Sequence, residues 1–490
     1  MSTSTPASTA DVPAGPETDA ERQLLRDFDV KSAFSLAFAF LSPIAALYGI
    51  FAIGLSTVGP QFWWGFPITL AGQMLVALTF GQLASRWPYE GSVYQWARHL
   101  IGARYGWATG WWYIWVLCIA TAAVSYSGGL FLAQLVGIDE PSTGTVVPFA
   151  LLILAAVAWG NTHGRHVLKM VVVLCIGAEI IGSIGVGAWL LLFHREHGLD
   201  VLFEGTGAPS VGTGLMSAPF VMVVAFAGWS FLGFESAGAI AEEVRDPRRA
   251  VPKAMALSLL FVALVVMFAS LSIILATPDM GAVIAGEVGD PVVATLEAQL
   301  GGTVTRVILA MFVIGFFASA LSIQAAASRL VWALARDRQL PASSRLSKLS
   351  GSDRLPTNAV LLCAAISAAL YAFSGTDLYS ILVTATSGGF YVAFALPVIG
   401  LAIARARGRW RPGPFLAGRL GLVISLLALV WIVLETINIV WPRDAGLPWY
   451  ETWAFFLVAG VVVGLGLIVR LVVLRGGPPP VPVAERDVDG

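Results

Sequence analysis

Two carboxylates lie deep inside apolar runs of the sequence, Glu179 in VLCIGAEIIGSIGVG and Glu235 in FAGWSFLGFESAGAI. An ionisable group at mid-membrane depth costs about 2.5 to 3.5 kcal/mol on insertion scales, so each marks a functional position by default. Removal from water favours the neutral acid, which suits a carboxylate to carrying a proton. For Glu179 the alternative is a structural carboxyl bonded to a neighbouring helix. Glu235 stands where helix-friendly residues lapse, at Gly228-Trp229-Ser230 and Gly233. Carbonyls freed around Ala227, Gly228 and Trp229 can accept hydrogen bonds from an ammonium group. The Trp229 ring either adds a cation–π face worth about 0.5 to 2 kcal/mol or packs between helices. Ser230 and Ser236 face the same site or bond their own backbone.

A second interruption lies at Ser42-Pro43. Proline removes a backbone donor and disfavours helix in the residue before it. Backbone groups of Ser42, Ile44 and Ala45 are therefore expected to be free, with a half-helix beginning just beyond them. Such an N-terminus presents amide donors and partial positive charge to an anion. Further along, Glu242-Glu243-Val244-Arg245-Asp246-Pro247, with Arg248 and Arg249, places acids and bases at the end of a span, either as an ion-paired gate or as ordinary interfacial charge. Glu435 reads as a structural or subunit-contact residue.

Other chemistries find little support. His194 and His197 in HREH have metal-like spacing, but the five histidines lie in or beside loops, and no metal site or cofactor is expected. The three cysteines, Cys118, Cys175 and Cys363, fall inside apolar spans as packing residues. No HExxH, GxSxG or phosphate-loop pattern occurs, which argues against an enzyme. A net charge of −1 gives no basic excess for a nucleic-acid partner.

The elements that must position these residues are membrane helices. Of the 490 residues, 57% are hydrophobic and 12% charged, and mean hydropathy is +0.80, against roughly 25% charged in soluble domains. A span needs about 20 apolar residues to cross ~30 Å of hydrocarbon. Twelve stretches qualify: 33–55, 62–83, 105–136, 146–161 and 168–193; 218–241, 251–275, 304–335, 357–373 and 378–404; and 420–440 and 453–474. The breaks fall in the first and sixth spans, five apart, as expected for an inverted repeat with its binding site at the breaks. Lysine and arginine concentrate on one side, with only Arg195, Arg306 and Arg443 on the other, so both termini are expected in the cytoplasm. Residues 1–30 and 475–490 read as disordered cytoplasmic tails, 31–404 as a ten-helix core (31–193 and 217–404 as its repeats) and 405–474 as two accessory helices.

The run WSFLGFESAGAIAEEVRDPRRAVPKA resembles the sixth-helix signature of the amino acid, polyamine and organocation transporter superfamily. GQLASRWPYEGSVYQWARHLIG is similar to its second loop, SRLVWALARDRQLPASSRLSKL to the segment after its eighth helix, and SLAFAFLSPIAALYGIF to the first helix of its bacterial amino acid/choline branch. The resemblance implies an all-α integral membrane protein with twelve transmembrane helices. It further implies a five-plus-five inverted repeat of the leucine-transporter type, with helices 1 and 6 broken, and alternating access across the cytoplasmic membrane. Many members carry glycines where this chain has Ser42-Pro43-Ile44-Ala45, so the amine end of a substrate is better supported than a carboxylate end. Proton-coupled relatives carry a lysine near the position of Glu179, which matches in location and not in charge. Ser319, Ser322 and Gln324 do not complete a typical sodium site, favouring protons or exchange. The expected function is secondary transport of an amino acid. The alternatives are transport of an amine such as choline, ethanolamine, a polyamine or γ-aminobutyrate, and a non-transporting nutrient sensor.

Overall fold

The computed structural model describes residues 30–138, 141–204, 218–373, 378–443 and 448–473. The expected tails lie outside this set, apart from Val30, which already begins a helix. Among the described residues the regular elements are helices, with an isolated antiparallel bridge between Ser350 and Leu355. Helices are what the composition demands, because backbone groups within hydrocarbon must be satisfied inside their own segment.

The first span is α1 (Val30–Leu41) and α2 (Pro43–Tyr48), followed by α3 (Phe51–Val58), a 3-10 turn and α4 (Gly65–Arg86). It was expected to run to residue 55; instead the chain turns at Gly49 and Ile50, and α3 leads into the second span. Next come α5 (Val93–Ile101), α6 (Ala103–Leu135), α7 (Thr143–Thr162), α8 (Arg165–Glu179) and α9 (Val186–Phe193). A π turn, Ile180–Gly185, joins α8 to α9 immediately after Glu179, and such turns recur at functional positions. The second half holds α10 (Pro219–Trp229), α11 (Ser236–Ala239), α12 (Pro247–Ala276), α13 (Met280–Ile284) and α14 (Pro291–Leu300). It continues with α15 (Gly302–Arg336), α16 (Ser343–Leu346), α17 (Thr357–Leu370) and α18 (Leu378–Ala406). Finally α19 (Arg419–Val440), α20 (Trp449–Thr452) and α21 (Ala454–Ile468) close the described chain.

Among the described residues ten helical runs are long and apolar enough to cross a membrane, and α10 and α17 are apolar but shorter. The packing has the pattern of an inverted repeat. At its centre, α6 packs on α15 and α4 on α12. Around that axis α1 lies against α12 as α10 lies against α4, α7 against α6 as α17 against α15, and α8 against α15 as α18 against α6. Apolar side chains of α19 and α21 remain exposed on the periphery, Leu427, Val430, Val461 and Leu467 among them, the surface that lipid would cover.

Candidate functional site

At the first break the backbone can be accounted for group by group. Ser42 has a φ of 40°, and Pro43 opens α2 with no N–H to give. The Ala45 N–H donates to Ser42 Oγ at 3.1 Å, the local capping bond of a helix start. The Ile44 N–H donates to Glu179 Oε2 at 3.0 Å, and the Ser42 hydroxyl donates to Glu179 Oε1. Ser183, one turn on within the π segment, lies 3.5 Å from the same carboxylate. On the other side of the gap, the Phe40 carbonyl accepts from Ser319 Oγ of α15 at 2.8 Å. Of the amides expected to be free, that of Ile44 is taken by the chain's own Glu179, that of Ala45 by Ser42 Oγ, and that of Ser42 still donates to the Phe38 carbonyl at 2.8 Å.

The sixth-span break is longer. Ser230, Phe231 and Leu232 donate to the carbonyls of Ala227, Gly228 and Trp229 at 3.1, 3.4 and 3.3 Å. These carbonyls were expected to be free; loosening into tight turns re-pairs each of them through one lone pair and leaves the other. Gly233 then takes a φ of 113°, and a Cβ there would stand 2.0 Å from the Phe40 ring, so both the turn and the close approach require glycine. Glu235 follows, fully buried, accepting from the Tyr113 hydroxyl of α6. Its Oε2 has no partner among the described residues. Two side chains tie the breaks together: Trp229 Nε1 donates to the Ala45 carbonyl at 3.4 Å and Ser230 Oγ to that of Ala46 at 2.7 Å.

Between the breaks lies a narrow, partly open cavity of ≈ 30 Å³. Its walls are mostly apolar: Phe40, Leu41, Ala120, Val124, Ile323 and Phe390. Ala45, Trp229, Ser319 and Thr386 bring the polar groups, and Thr386 Oγ1 has no partner among the described residues. Glu235 and Glu179 do not line the cavity; they stand behind the broken segments that do.

At the end of α15 carrying the basic loops, charges form a network. Arg329 Nε pairs with Glu243 at 2.7 Å, the two side chains 5% and 0% exposed. Arg336 meets Glu242 at 3.0 Å with both about a quarter exposed, at 24% and 23%. Asp337 Oδ2 accepts from Arg98 and from Tyr94, each at 2.7 Å. The expectation that Arg245 belongs to this gate is not met, since Arg245, Arg248 and Arg249 are exposed. Val244 is extended and Asp246 takes a φ of 46°, turning those arginines outward while Glu242 and Glu243 face α15. The missed partners had a signal: Arg329 and Arg336 are seven residues apart, two turns along one helix face. Tyr113, an aromatic in an aromatic-rich helix, carried none.

Glu435 is buried in α19 and accepts at 3.2 Å from Asn438, which also donates to the Val221 carbonyl of α10 at 3.0 Å. Among the described residues no cluster of three His, Cys, Asp or Glu is placed to hold a metal. His197 bonds the Thr277 carbonyl at 2.8 Å and His194 the Gln299 amide at 3.1 Å, pinning their loop.

Comparison with known proteins places this sequence among permeases. The amino acid permease sequence profile matches residues 30–473. The chain is 26% identical over 465 residues to amino-acid permease BAT1 of Arabidopsis thaliana, covering 87% of each chain. It is 27% identical over 348 residues to the branched-chain amino acid permease BcaP of Lactococcus lactis, covering 68% of this chain and 72% of that one. An uncharacterized amino-acid permease of Schizosaccharomyces pombe is 26% identical over 448 residues, covering 86% of this chain and 78% of its own.

Proposed function

Because the chain belongs to the amino acid permease family, we propose that its two interrupted helices bind substrate between them and that Glu179 carries the coupling proton. The protein is a secondary transporter of an amino acid or related small amine, and not an enzyme. The finer architecture is twelve transmembrane helices in a five-plus-five inverted repeat of the leucine-transporter type. Residues 31–193 and 217–404 form the repeats, 405–474 the accessory helices, and the basic face with both termini is cytoplasmic, in the cell membrane. The paired breaks, the swapped packing of the halves and the arginine-rich loops support this reading.

One observation carries the mechanism. Glu179 bonds both Ser42 and the Ile44 amide at the first break, so a change in its charge acts directly on the backbone that must rearrange when the cavity changes sides. Proton arrival weakens the carboxylate's hold on those donors, and proton loss restores it. Ser319 Oγ donates to the Phe40 carbonyl, Ser322 Oγ to the Ala318 carbonyl and Asn161 to Gln324 Oε1; donating hydroxyls keep their lone pairs, so proton or exchange coupling rests on Glu179.

Proteoliposomes containing Glu179→Gln are expected to lose proton-driven accumulation while retaining most counterflow exchange, since only accumulation needs a net proton cycle. Equal loss in both, at normal expression, overturns the coupling role, as does uptake at fixed pH that requires sodium. A thermal-shift panel should hold leucine, isoleucine and valine, prompted by the apolar lining and by the name of the L. lactis relative. A second reading, an amine without a carboxylate, is favoured by Glu179 already filling the amide end of the first break. The decarboxylated amines in the same panel decide between them.

A further inference from the structure

Among the described residues, four carboxylates and three guanidinium groups meet at the arginine-rich end of α15, and their charges do not balance. Glu243 pairs with Arg329, Glu242 with Arg336 and Asp337 with Arg98. Glu90, in the turn between α4 and α5, is the carboxylate left over. It is 0% exposed, and neither of its oxygens has a hydrogen-bond partner among the described residues. Its backbone N–H donates to Glu242 Oε1 at 3.1 Å, which holds the turn against the network. Glu242 and Glu243 face it from the segment after α11, and Arg329 and Arg336 from α15. Tyr94 and Arg98 of α5 complete the cluster through Asp337.

An ionised Glu90 would add a fourth negative charge to three positive ones already paired. Burial first, then Glu243 and then Glu242, pushes its acid well above the ordinary carboxylate range, with Arg329 and Arg336 only partly opposing them. Opening this end of the protein admits water to the cluster and removes all three causes together. We propose that Glu90 holds a proton while the gate at this end is closed and gives it up to the cytoplasm when the gate opens. The proposal rests on reading this end as the cytoplasmic gate. The Glu90 proton enters and leaves on one face, so it adds nothing to transport stoichiometry; it sets how readily the gate opens at a given cytoplasmic pH. The closed state, with the raised value, binds the proton more tightly. The bias towards closure is complete below the ordinary carboxylate range and is lost as pH rises through the raised one.

The test reads gate opening without needing the substrate. Ala326 lies three residues from Ile323 of the cavity and three from Arg329 of the gate, on the helix face joining them. Ala326→Cys is introduced alone, with Glu90→Gln and with Glu90→Ala, and labelled with a membrane-impermeant maleimide in inside-out vesicles. Labelling of the parent chain, with its three native cysteines, is subtracted. Taking the rate ratio to Glu90→Gln at each pH cancels the thiolate fraction. As pH rises from the ordinary carboxylate range through the raised one, that ratio is expected to climb, by at most about tenfold per pH unit for one proton. Glu90→Ala should match Glu90→Gln in its pH profile. A ratio that does not change with pH overturns the proposal. So does faster labelling of Glu90→Gln than of the native glutamate at every pH, because an ionised Glu90 would then be what locks the gate. Labelling only from the opposite side, in right-side-out vesicles, instead overturns the cytoplasmic assignment of this face.

Discussion

The two breaks differ in who satisfies them. At Ser42-Pro43 the interruption is one residue long, and a side chain from another helix, Glu179, takes both the Ser42 hydroxyl and the Ile44 amide. At 230–235 the interruption spans several residues, and the backbone mends itself by loose turns while its side chains reach outward. The donors it extends, Trp229 Nε1 and Ser230 Oγ, go to carbonyls just beyond the first break. One break is therefore anchored to the scaffold by a titratable group, and the other is hung on the first. A charge change at Glu179 is felt at both, whereas among the described residues one at Glu235 reaches the scaffold through the Tyr113 hydroxyl of α6.

The largest expected effect comes from removing the anchor. Glu179→Ala leaves the Ile44 N–H and the Ser42 hydroxyl buried without their acceptor, at about 1–3 kcal/mol each. A clear fall in melting temperature in detergent should accompany loss of both accumulation and exchange, in contrast to the selective loss expected of Glu179→Gln. An unchanged melting temperature would mean that the first break does not depend on its carboxylate.

Gly233→Ala probes the self-mended break. A methyl group there meets the Phe40 ring and must also adopt a φ of 113°. The strain is of order 1–3 kcal/mol, and because Phe40 lines the cavity, substrate affinity should fall with stability. Restoring affinity by Phe40→Leu in the same chain would locate the conflict at that contact; failure to restore it assigns the loss to backbone strain alone.

How much of this was legible in the sequence follows from what each feature depends on. Apolar length marked the spans, and Pro43 and Gly233 marked the breaks, because both act on their own backbone. The pairings of Glu179 with Ser42, 137 positions apart, and of Glu243 with Arg329, 86 apart, depend on tertiary packing; the spacing of Arg329 and Arg336 marked a helix face and not the acid it would meet. Arg245 illustrates the opposite error. Proximity in sequence suggested a gate partner, but the left-handed residue Asp246 and the start of α12 turn it to the exterior. Deep carboxylates were worth singling out on cost alone; what they bind required the fold.

Trp229→Ala has a smaller and more specific effect. The indole lines the cavity and bonds the Ala45 carbonyl only weakly, at 3.4 Å. Binding of ammonium-bearing substrates should weaken by about 0.5–2 kcal/mol if its ring faces the charge. An unchanged dissociation constant with a lowered melting temperature would make it a strut between the breaks and nothing more.

The smallest expected effect tests whether Glu235 is an anchor comparable to Glu179. Tyr113→Phe deletes the one hydroxyl that Glu235 receives from another helix while keeping the ring that packs against Phe390 at 5.7 Å. If Glu235 only fills space behind the second break, the loss is that of a single hydrogen bond, about 0.5–1.5 kcal/mol in stability, with accumulation and exchange falling together. If Glu235 shares the proton cycle, its charge must be held differently in the two states, and losing the hydroxyl shifts the pH dependence of accumulation while exchange is spared. The Glu179→Gln chain supplies the scale: a Tyr113→Phe profile displaced in the same sense would give the two breaks equal rank. A flat profile leaves the first break as the seat of coupling and the second as the part it moves.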